Sequence, residues 1–274
     1  MAKKIPIEKS SPVLISPASI KTKIIGTKEL IKSTVSDFRR NWQKFAYLLL
    51  IPLIISFLIS LSSFALKYFS VSYPLPWPAM ALGFLVFFAV MIAVGVLYVL
   101  TYISEFLLLK DFSQEVSFRN LRAWYGRAKP FFWIFLAVSI IYCVLSLLGL
   151  ILLIVPGLIF MVSYSMTVYA VVFEDHKFEG AFGRSRELVK GYWWAVFGRF
   201  MAGGTLAYIA YIIIGGIYSG IVWLIFLALQ ITPSRESFSV MYDFLALFIG
   251  LVAGPLSMIY TYRIYRSLRE TKNI

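Results

Sequence analysis

Long apolar runs alternate along the chain with shorter segments that carry most of its charges. A helix crosses a bilayer core with about 20 apolar residues. Six runs approach or exceed that length, at residues 45–66, 79–109, 131–154, 158–173, 200–229 and 238–262. The pattern predicts an all-α, polytopic transmembrane bundle of six spans, built as a single membrane domain over residues 27–270.

The third and fourth apolar runs are separated only by the sequence "LLIVPGLIF". Pro156 and Gly157 can end a helix and reverse the chain without a charged residue. We therefore expect a tight hairpin at one membrane face.

Three charged segments have helical periodicity of their own. Between residues 177 and 192 the charged positions share one arc of a helical wheel, and a set of apolar or small residues shares the other. That set is Phe178, Ala181, Phe182, Ser185, Leu188, Val189 and Tyr192. The stretches "KELIKSTVSDFRRNWQKFAYLLL" and "SFRNLRAWYGRAKPFFWIFL" are similar. We predict three amphipathic helices at the cytoplasmic interface, each with its apolar side toward lipid or the bundle.

These segments also align with one another. When Ser33, Ala123 and Ser185 are matched, three phenylalanines fall into register: Phe45, Phe135 and Phe197. The alignment indicates a threefold repeat of one surface helix followed by a transmembrane hairpin. Convergence on a common interfacial composition explains the weak identity equally well.

Composition agrees with a membrane location. The 274 residues are 60% hydrophobic and 14% charged, with a mean hydropathy of +0.83. Soluble domains are nearer half apolar and a quarter charged. A bilayer is therefore the expected solvent for the excess.

The net charge of +13 is distributed as a topology signal. Segments 1–44, 110–130, 174–199 and 263–274 hold ten, five, five and four of the 26 Lys and Arg residues. The positive-inside rule places them, with both termini, in the cytoplasm of a bacterial or archaeal cell. Residues 1–26 are expected to be a flexible basic tail and 271–274 a short one. Basic inner loops favour anionic lipids as partners, and no nucleic-acid-binding module is recognisable.

The sequence contains few of the residues and motifs that bind metals or cofactors. A single cysteine, Cys143, precludes an intrachain disulfide, and a single histidine, His176, makes a zinc site unexpected. Hydrolase and nucleotide-binding motifs are not found in the sequence. We predict no cofactor, no metal, no catalytic residue and no enzyme activity.

A few ionisable residues stand out by their depth. Glu105 lies near the inner end of the second span, where it can take part in ion or proton movement or can pair with Arg199. Glu174 and Asp175 end the fourth span, where they can bind a cation, act as acid and base, or favour a following helix start.

Small and hydroxylated residues offer further candidates. Gly216 with Gly220, and Gly250 with Gly254, form GxxxG pairs that suit helix packing. The pairs at 203–204 and 215–216 can loosen the fifth helix, as in transporters with discontinuous helices. A group of hydroxylated side chains can line a polar cavity or bond between helices: Ser163, Tyr164, Ser165, Thr167, Tyr169, Tyr208, Tyr211 and Tyr218.

The stretch from "LLGLILLIVPGLIF" to "VVFEDHKFEGAFGRSRELVKGYWWAVFG" resembles the membrane domain of glycerophosphoryl diester phosphodiesterase proteins and related uncharacterised six-span bacterial membrane proteins. The matching residues are Pro156, Gly157, Glu174, Ala181, Arg184, Ser185, Leu188, Lys190, Gly191 and Trp193. The resemblance implies the six-span layout. It brings no reaction, because hydrolysis in the fused proteins belongs to a separate soluble barrel.

Three functions follow as hypotheses. The leading one is a non-catalytic structural or regulatory module that interacts with lipids, a membrane-protein partner or a second copy of the chain. The alternatives are a small transporter or channel and a lipid-modifying membrane enzyme.

Overall fold

The computed structural model describes residues 24–72, 76–174, 176–230 and 235–272, which fold almost entirely into helices. Most of the predicted amino-terminal tail, Asp175 and residues 273–274 lie outside this part of the chain. The α-helices of the described residues are α1 (Thr27–Ser72), α2 (Trp77–Lys110), α3 (Leu121–Ala128), α4 (Phe132–Leu152), α5 (Ile154–Ser163), α6 (Thr167–Glu174), α7 (Phe178–Val189), α8 (Trp193–Ala228) and α9 (Arg235–Thr271).

Five helical stretches of the described chain are long and apolar enough to cross a membrane. They are Thr27–Ile59, Ala81–Lys110, Phe118–Ile151, Ile154–Glu174 and Trp193–Ala228. The all-helical, multi-pass architecture predicted from the sequence is thus confirmed. The sixth predicted span, at 238–262, lies within α9, and the count of six stays a prediction.

The first predicted surface helix is not a separate element. It continues into the first span as the 46-residue helix α1. The sequence gives the reason, since residues 27–51 contain neither glycine nor proline. The other two surface helices, α3 and α7, are separate because a break follows each one. Pro130 lies in the 3-10 turn after α3, and Gly191 after α7 has a φ of +87°, a conformation that favours glycine.

The predicted hairpin joins α4 and α5, although the reversal occurs at Leu153 rather than at the Pro-Gly pair. Leu153 is extended, with φ −158° and ψ 125°, and Pro156 lies in the first turn of α5. Gly157 has a packing role: a Cβ built on it would lie 2.5 Å from the backbone nitrogen of Leu150. The absence of a side chain lets α5 lie directly against α4.

The fifth span does not break at its glycines. Helix α8 runs without interruption through the pairs at 203–204 and 215–216. Around Gly216, Gly220, Gly250 and Gly254, the described residues place no atom of a neighbouring helix within 4 Å of a built Cβ, so their predicted role in helix packing stays a prediction. Gly203 does, since its Cβ would lie 2.8 Å from the Tyr260 ring of α9.

The basic segments meet at one end of the bundle, which we call the basic end: residues 24–44, 110–130, 176–199 and 263–272. Arg263 of α9 pairs with Asp37 of α1. Lys44 of α1 donates to the carbonyl of Phe112, which follows α2. The buried core lies nearer this end, while α2 from residue 81 to 93 and most of α8 beyond residue 204 are exposed. Apolar exposure of that kind costs little in lipid.

Candidate functional site

The fourth candidate span is broken near its middle. Helix α5 ends at Ser163 and α6 begins at Thr167, with a turn at residues 164–166 between them. The hydroxyl of Ser165 donates to the Val162 carbonyl at 2.8 Å, and that of Thr167 donates to the Tyr164 carbonyl at 2.7 Å. Serine and threonine side chains that bond to nearby main chain in this way compete with the helical ladder.

Ser185 of α7, which is fully buried, bonds to main-chain groups on both sides of the break. Its hydroxyl accepts a hydrogen bond from the Met166 amide at 3.1 Å and donates one to the Ser163 carbonyl at 2.9 Å. Buried main-chain groups need partners, and in lipid that need is strict. The predicted surface helix therefore completes the main-chain bonding of a membrane span.

A cavity of about 450 Å³ lies beside this break. Residues of α2, α4, α5, α6, α8 and α9 line it. One wall is an aromatic cluster of Tyr102, Phe106, Phe135 and Tyr169, which we call the aromatic wall. Its neighbouring ring centroids are 4.9–6.0 Å apart in edge-to-face arrangements, the geometry that aromatic pairs prefer.

The cavity contains half of the predicted hydroxyl set. Tyr164, Ser165, Thr167 and Tyr169 line it, whereas Ser163, Tyr208, Tyr211 and Tyr218 do not. Tyr208 and Tyr211 are instead exposed on α8. The lining also contains five hydroxylated residues that were not predicted from the sequence: Tyr102, Ser139, Tyr142, Ser257 and Thr261. They belong to three helices that are far apart in sequence. The spacing of residues within one helix therefore could not predict that they lie around one cavity.

A charged cluster of α6, α7 and α9 adjoins the cavity, since the Tyr265 ring lies 5.4 Å from that of the lining residue Tyr169. The Arg184 guanidinium donates to Glu174 at 2.6 and 3.4 Å and to Glu187 at 3.1 Å. The Tyr265 hydroxyl donates to Glu174 at 2.7 Å. The side chains of Arg184 and Glu174 are only 9% and 10% exposed. Arg184 was predicted to lie on the solvated arc of its helix, and the structure corrects this to a buried ion pair.

The cluster is held by charge as well as by packing. Burial disfavours the charged form of Arg184, but its hydrogen bonds to Glu174 and Glu187 outweigh burial and raise the pKa of the guanidinium above its ordinary value. Burial and the bond to Glu174 likewise raise the pKa of the Tyr265 hydroxyl. Arg184 therefore stays cationic and Tyr265 neutral at physiological pH. Glu174 therefore binds Arg184 and Tyr265. It does not cap the start of α7, which begins at Phe178.

Glu105 does not pair with Arg199. The Arg199 guanidinium donates to the main-chain carbonyls of Ile25 at 2.9 Å and of Ala195 at 2.6 Å. Glu105 is 2% exposed, and its Oε1 has no hydrogen-bond partner. The preceding residue, Ser104, is also buried, and its hydroxyl donates to the Leu100 carbonyl. Glu105 thus lies next to the aromatic wall in sequence but is not among the residues that line the cavity.

Lys190 is exposed and contributes its main chain rather than its charge. Its carbonyl accepts a hydrogen bond from the Lys272 ammonium at 2.9 Å, and the Glu187 carbonyl accepts a second. A cation is favourable at the carboxyl end of a helix. The end of α9 is therefore fastened to the end of α7.

The described residues contain no group of three or more His, Cys, Asp or Glu that could hold a metal ion. The resemblance to the phosphodiesterase-associated membrane domain stays a prediction. The chain matches no protein-family model, no curated protein and no solved structure.

Proposed function

We propose that this chain is a non-catalytic, integral membrane module that binds a membrane-soluble molecule inside its helical bundle. In this proposal it crosses the inner membrane of a bacterium or archaeon six times, and both termini and the basic end face the cytoplasm. The five apolar helical stretches and the gathering of the basic segments support that arrangement.

The observation that carries the proposal is the cavity beside the helix break. Its volume of about 450 Å³ falls in the range of small-molecule sites, which is roughly 300–1,000 Å³. Its lining joins an aromatic wall to several hydroxyl groups, the usual composition of a site that holds an apolar ligand in one orientation.

Ser139→Phe tests the proposal by placing a ring in the cavity from α4. The variant should purify with less of a bound membrane-soluble molecule than the wild-type chain, as measured by native mass spectrometry and extraction. Ile140→Phe is the matched control, since Ile140 is the next residue on α4 and is 52% exposed. It should keep wild-type occupancy.

Two results would count against a binding cavity. One is wild-type protein that carries no molecule beyond the loosely bound lipid seen equally with Ile140→Phe. The other is full retention of a bound molecule by Ser139→Phe with an unchanged gel-filtration profile.

A transporter or channel is the alternative that one observation favours. Broken helices with exposed main-chain groups frame the sites of many transporters, and the turn at 164–166 adjoins the cavity. Reconstituted flux that is lost on Glu105→Gln would support this alternative. Wild-type vesicles that move no solute faster than protein-free vesicles would argue against it.

The lipid-modifying enzyme remains the second alternative. Its candidate base, Glu174, is engaged by Arg184, Tyr265 and His176, the last with its ring nitrogen 3.3 Å from the carboxylate. A carboxylate with those partners is a weak base. Conversion of added phospholipid by wild-type protein but not by Glu174→Gln would support this alternative.

A further inference from the structure

We infer that the cavity takes an uncharged, ring-shaped molecule with carbonyl oxygens, which is the chemistry of a quinone head group. The inference rests on the ligand-binding function proposed above and adds the chemical class of the ligand. It is carried by the charge of the lining, the direction of its hydrogen bonds, its aromatic rings and its depth.

The lining has no partner for a charge, since it contains no Asp, Glu, Lys, Arg or His. The two nearest ionisable residues in sequence, Arg199 and Glu105, are not among the lining residues. The guanidinium of Arg199, the residue before the lining residue Phe200, donates hydrogen bonds to the main-chain carbonyls of Ile24, Ile25 and Ala195. Glu105, next to Phe106, is not part of the lining. An anionic or cationic group brought here would lose its hydration without compensation.

The hydroxyl groups of the lining divide into two sets. Six donate their protons to main-chain carbonyls: Tyr142, Ser165, Thr167, Tyr169, Ser257 and Thr261. The remaining three are Tyr102, Ser139 and Tyr164, and the described chain gives their hydroxyl protons no acceptor. A hydroxyl has one proton to donate. The cavity therefore offers free donors, and a ligand with acceptor oxygens is the one that satisfies them.

The rings around these donors favour a planar partner. Tyr102 belongs to the aromatic wall, where its centroid is 5.2 Å from Phe106 and 5.8 Å from Phe135. Tyr164 lies in the helix break, packed on Phe160 at 4.2 Å. Rings gain from edge and offset contacts with a further ring. The donors come from α2, α4 and the turn between α5 and α6, so only a ligand with more than one carbonyl oxygen satisfies more than one of them.

Depth selects against ordinary phospholipid head groups. Tyr102 lies eight residues before the end of α2 at Lys110, and Met201 lies eight residues after the start of α8 at Trp193. At 1.5 Å per residue, each position lies about 12 Å along its helix from that terminus. An uncharged ring enters such an apolar setting without losing the hydration of a charge, whereas a phosphate head group does not.

The test uses the purified full chain and decylubiquinone as the probe, titrated by native mass spectrometry. We expect saturable binding of one molecule per chain, which an equal concentration of phosphatidylglycerol does not displace. Tyr164→Phe should weaken binding on the order of fivefold, the effect of one neutral hydrogen bond. Tyr102→Phe combined with Tyr164→Phe should weaken it further. Tyr211→Phe, an exposed tyrosine of α8, is the matched control and should leave binding unchanged.

The inference is overturned if phosphatidylglycerol competes as well as decylubiquinone, or if the double variant with a wild-type gel-filtration profile binds decylubiquinone as tightly as the wild-type chain. Failure of the inference differs from failure of the proposed function. If decylubiquinone does not bind but Ser139→Phe still loses the molecule that co-purifies with the wild-type chain, the cavity is a site for another ligand class. If nothing co-purifies and nothing binds, both proposals fall.

Discussion

At the scale of single residues, two buried carboxylates have opposite surroundings. Glu174 accepts hydrogen bonds from Arg184 and Tyr265, whereas Glu105 has an oxygen without any partner. Removing one member of a buried ion pair leaves the other charge uncompensated, but removing an unpaired buried carboxylate relieves a desolvation cost. The same chemical change should therefore have different effects at the two positions.

Glutamate-to-glutamine substitution at each position measures this difference. Glu174→Gln should lower the free energy of unfolding by about 3 kcal/mol, because it leaves the Arg184 cation without its main partner. Glu105→Gln should leave stability unchanged or raise it. Thermal unfolding of both variants in the same detergent gives the comparison. A clear loss of stability with Glu105→Gln would mean that Glu105 has a favourable partner, such as a bound cation.

The residue scale also shows what one sequence can and cannot predict. Glu105 could be identified from the sequence, because a charged residue within an apolar run stands out without any knowledge of the fold. Of its two predicted roles, the pairing with Arg199 was wrong, since two residues at similar depth on different helices need not face one another, and the role in ion or proton movement stays a prediction. The partners of Arg199 are main-chain carbonyls near residue 25, and a carbonyl has no signature in a sequence.

At the scale of helices, the breaks that follow from a local sequence signal were predicted, and those that depend on a distant partner were not. The chain reversal between the third and fourth spans follows from a local turn signal, and the structure confirms the hairpin while moving its reversal to Leu153. The break at residues 164–166 has no glycine or proline. It is stabilised by Ser185, which lies on another helix. A break that depends on a distant partner cannot be predicted from local residue spacing. The glycine pairs of α8 suggested a break in that helix, but the broken span is the fourth one, between α5 and α6.

The hairpin glycine gives a test at this scale. Gly157→Ala would place a Cβ 2.5–2.8 Å from main-chain atoms of Gly149 and Leu150, which cannot yield without moving a helix. Such overpacking typically costs about 1–3 kcal/mol, so the thermal unfolding midpoint should fall.

Gly216→Ala is the control for that substitution. Nothing lies within 4 Å of the added methyl group, and alanine favours a helix over glycine by about 1 kcal/mol. Its unfolding midpoint should be equal to or above that of the wild-type chain. An equal drop in both variants would contradict the packing role of Gly157. A drop with Gly216→Ala alone, accompanied by a smaller assembly on gel filtration, would place Gly216 at a contact between copies.

At the scale of the whole molecule, the basic residues and the packing agree. Segments far apart in sequence, chosen only for their lysines and arginines, meet at one end through bonds such as Arg263 to Asp37 and Lys272 to Lys190. Composition and hydropathy were sufficient to predict a multi-pass helical bundle. The cavity could not be predicted in the same way, because its lining is contributed by six helices whose relative rotation no periodicity specifies.

Orientation and the number of spans can be tested together with single cysteines in a Cys143→Ser background. The positions are Lys190 before α8, Gln230 after it, and Glu270 near the end of α9, all exposed. If six spans cross the membrane with the basic end inside, a membrane-impermeant maleimide should label Gln230→Cys in intact cells. It should label Lys190→Cys and Glu270→Cys only after permeabilisation. Labelling of Glu270→Cys from outside, with Gln230→Cys also accessible, would mean that α9 does not cross. Labelling of Lys190→Cys but not Gln230→Cys would invert the protein and place the basic end, with its Arg184–Glu174 pair, on the outer face.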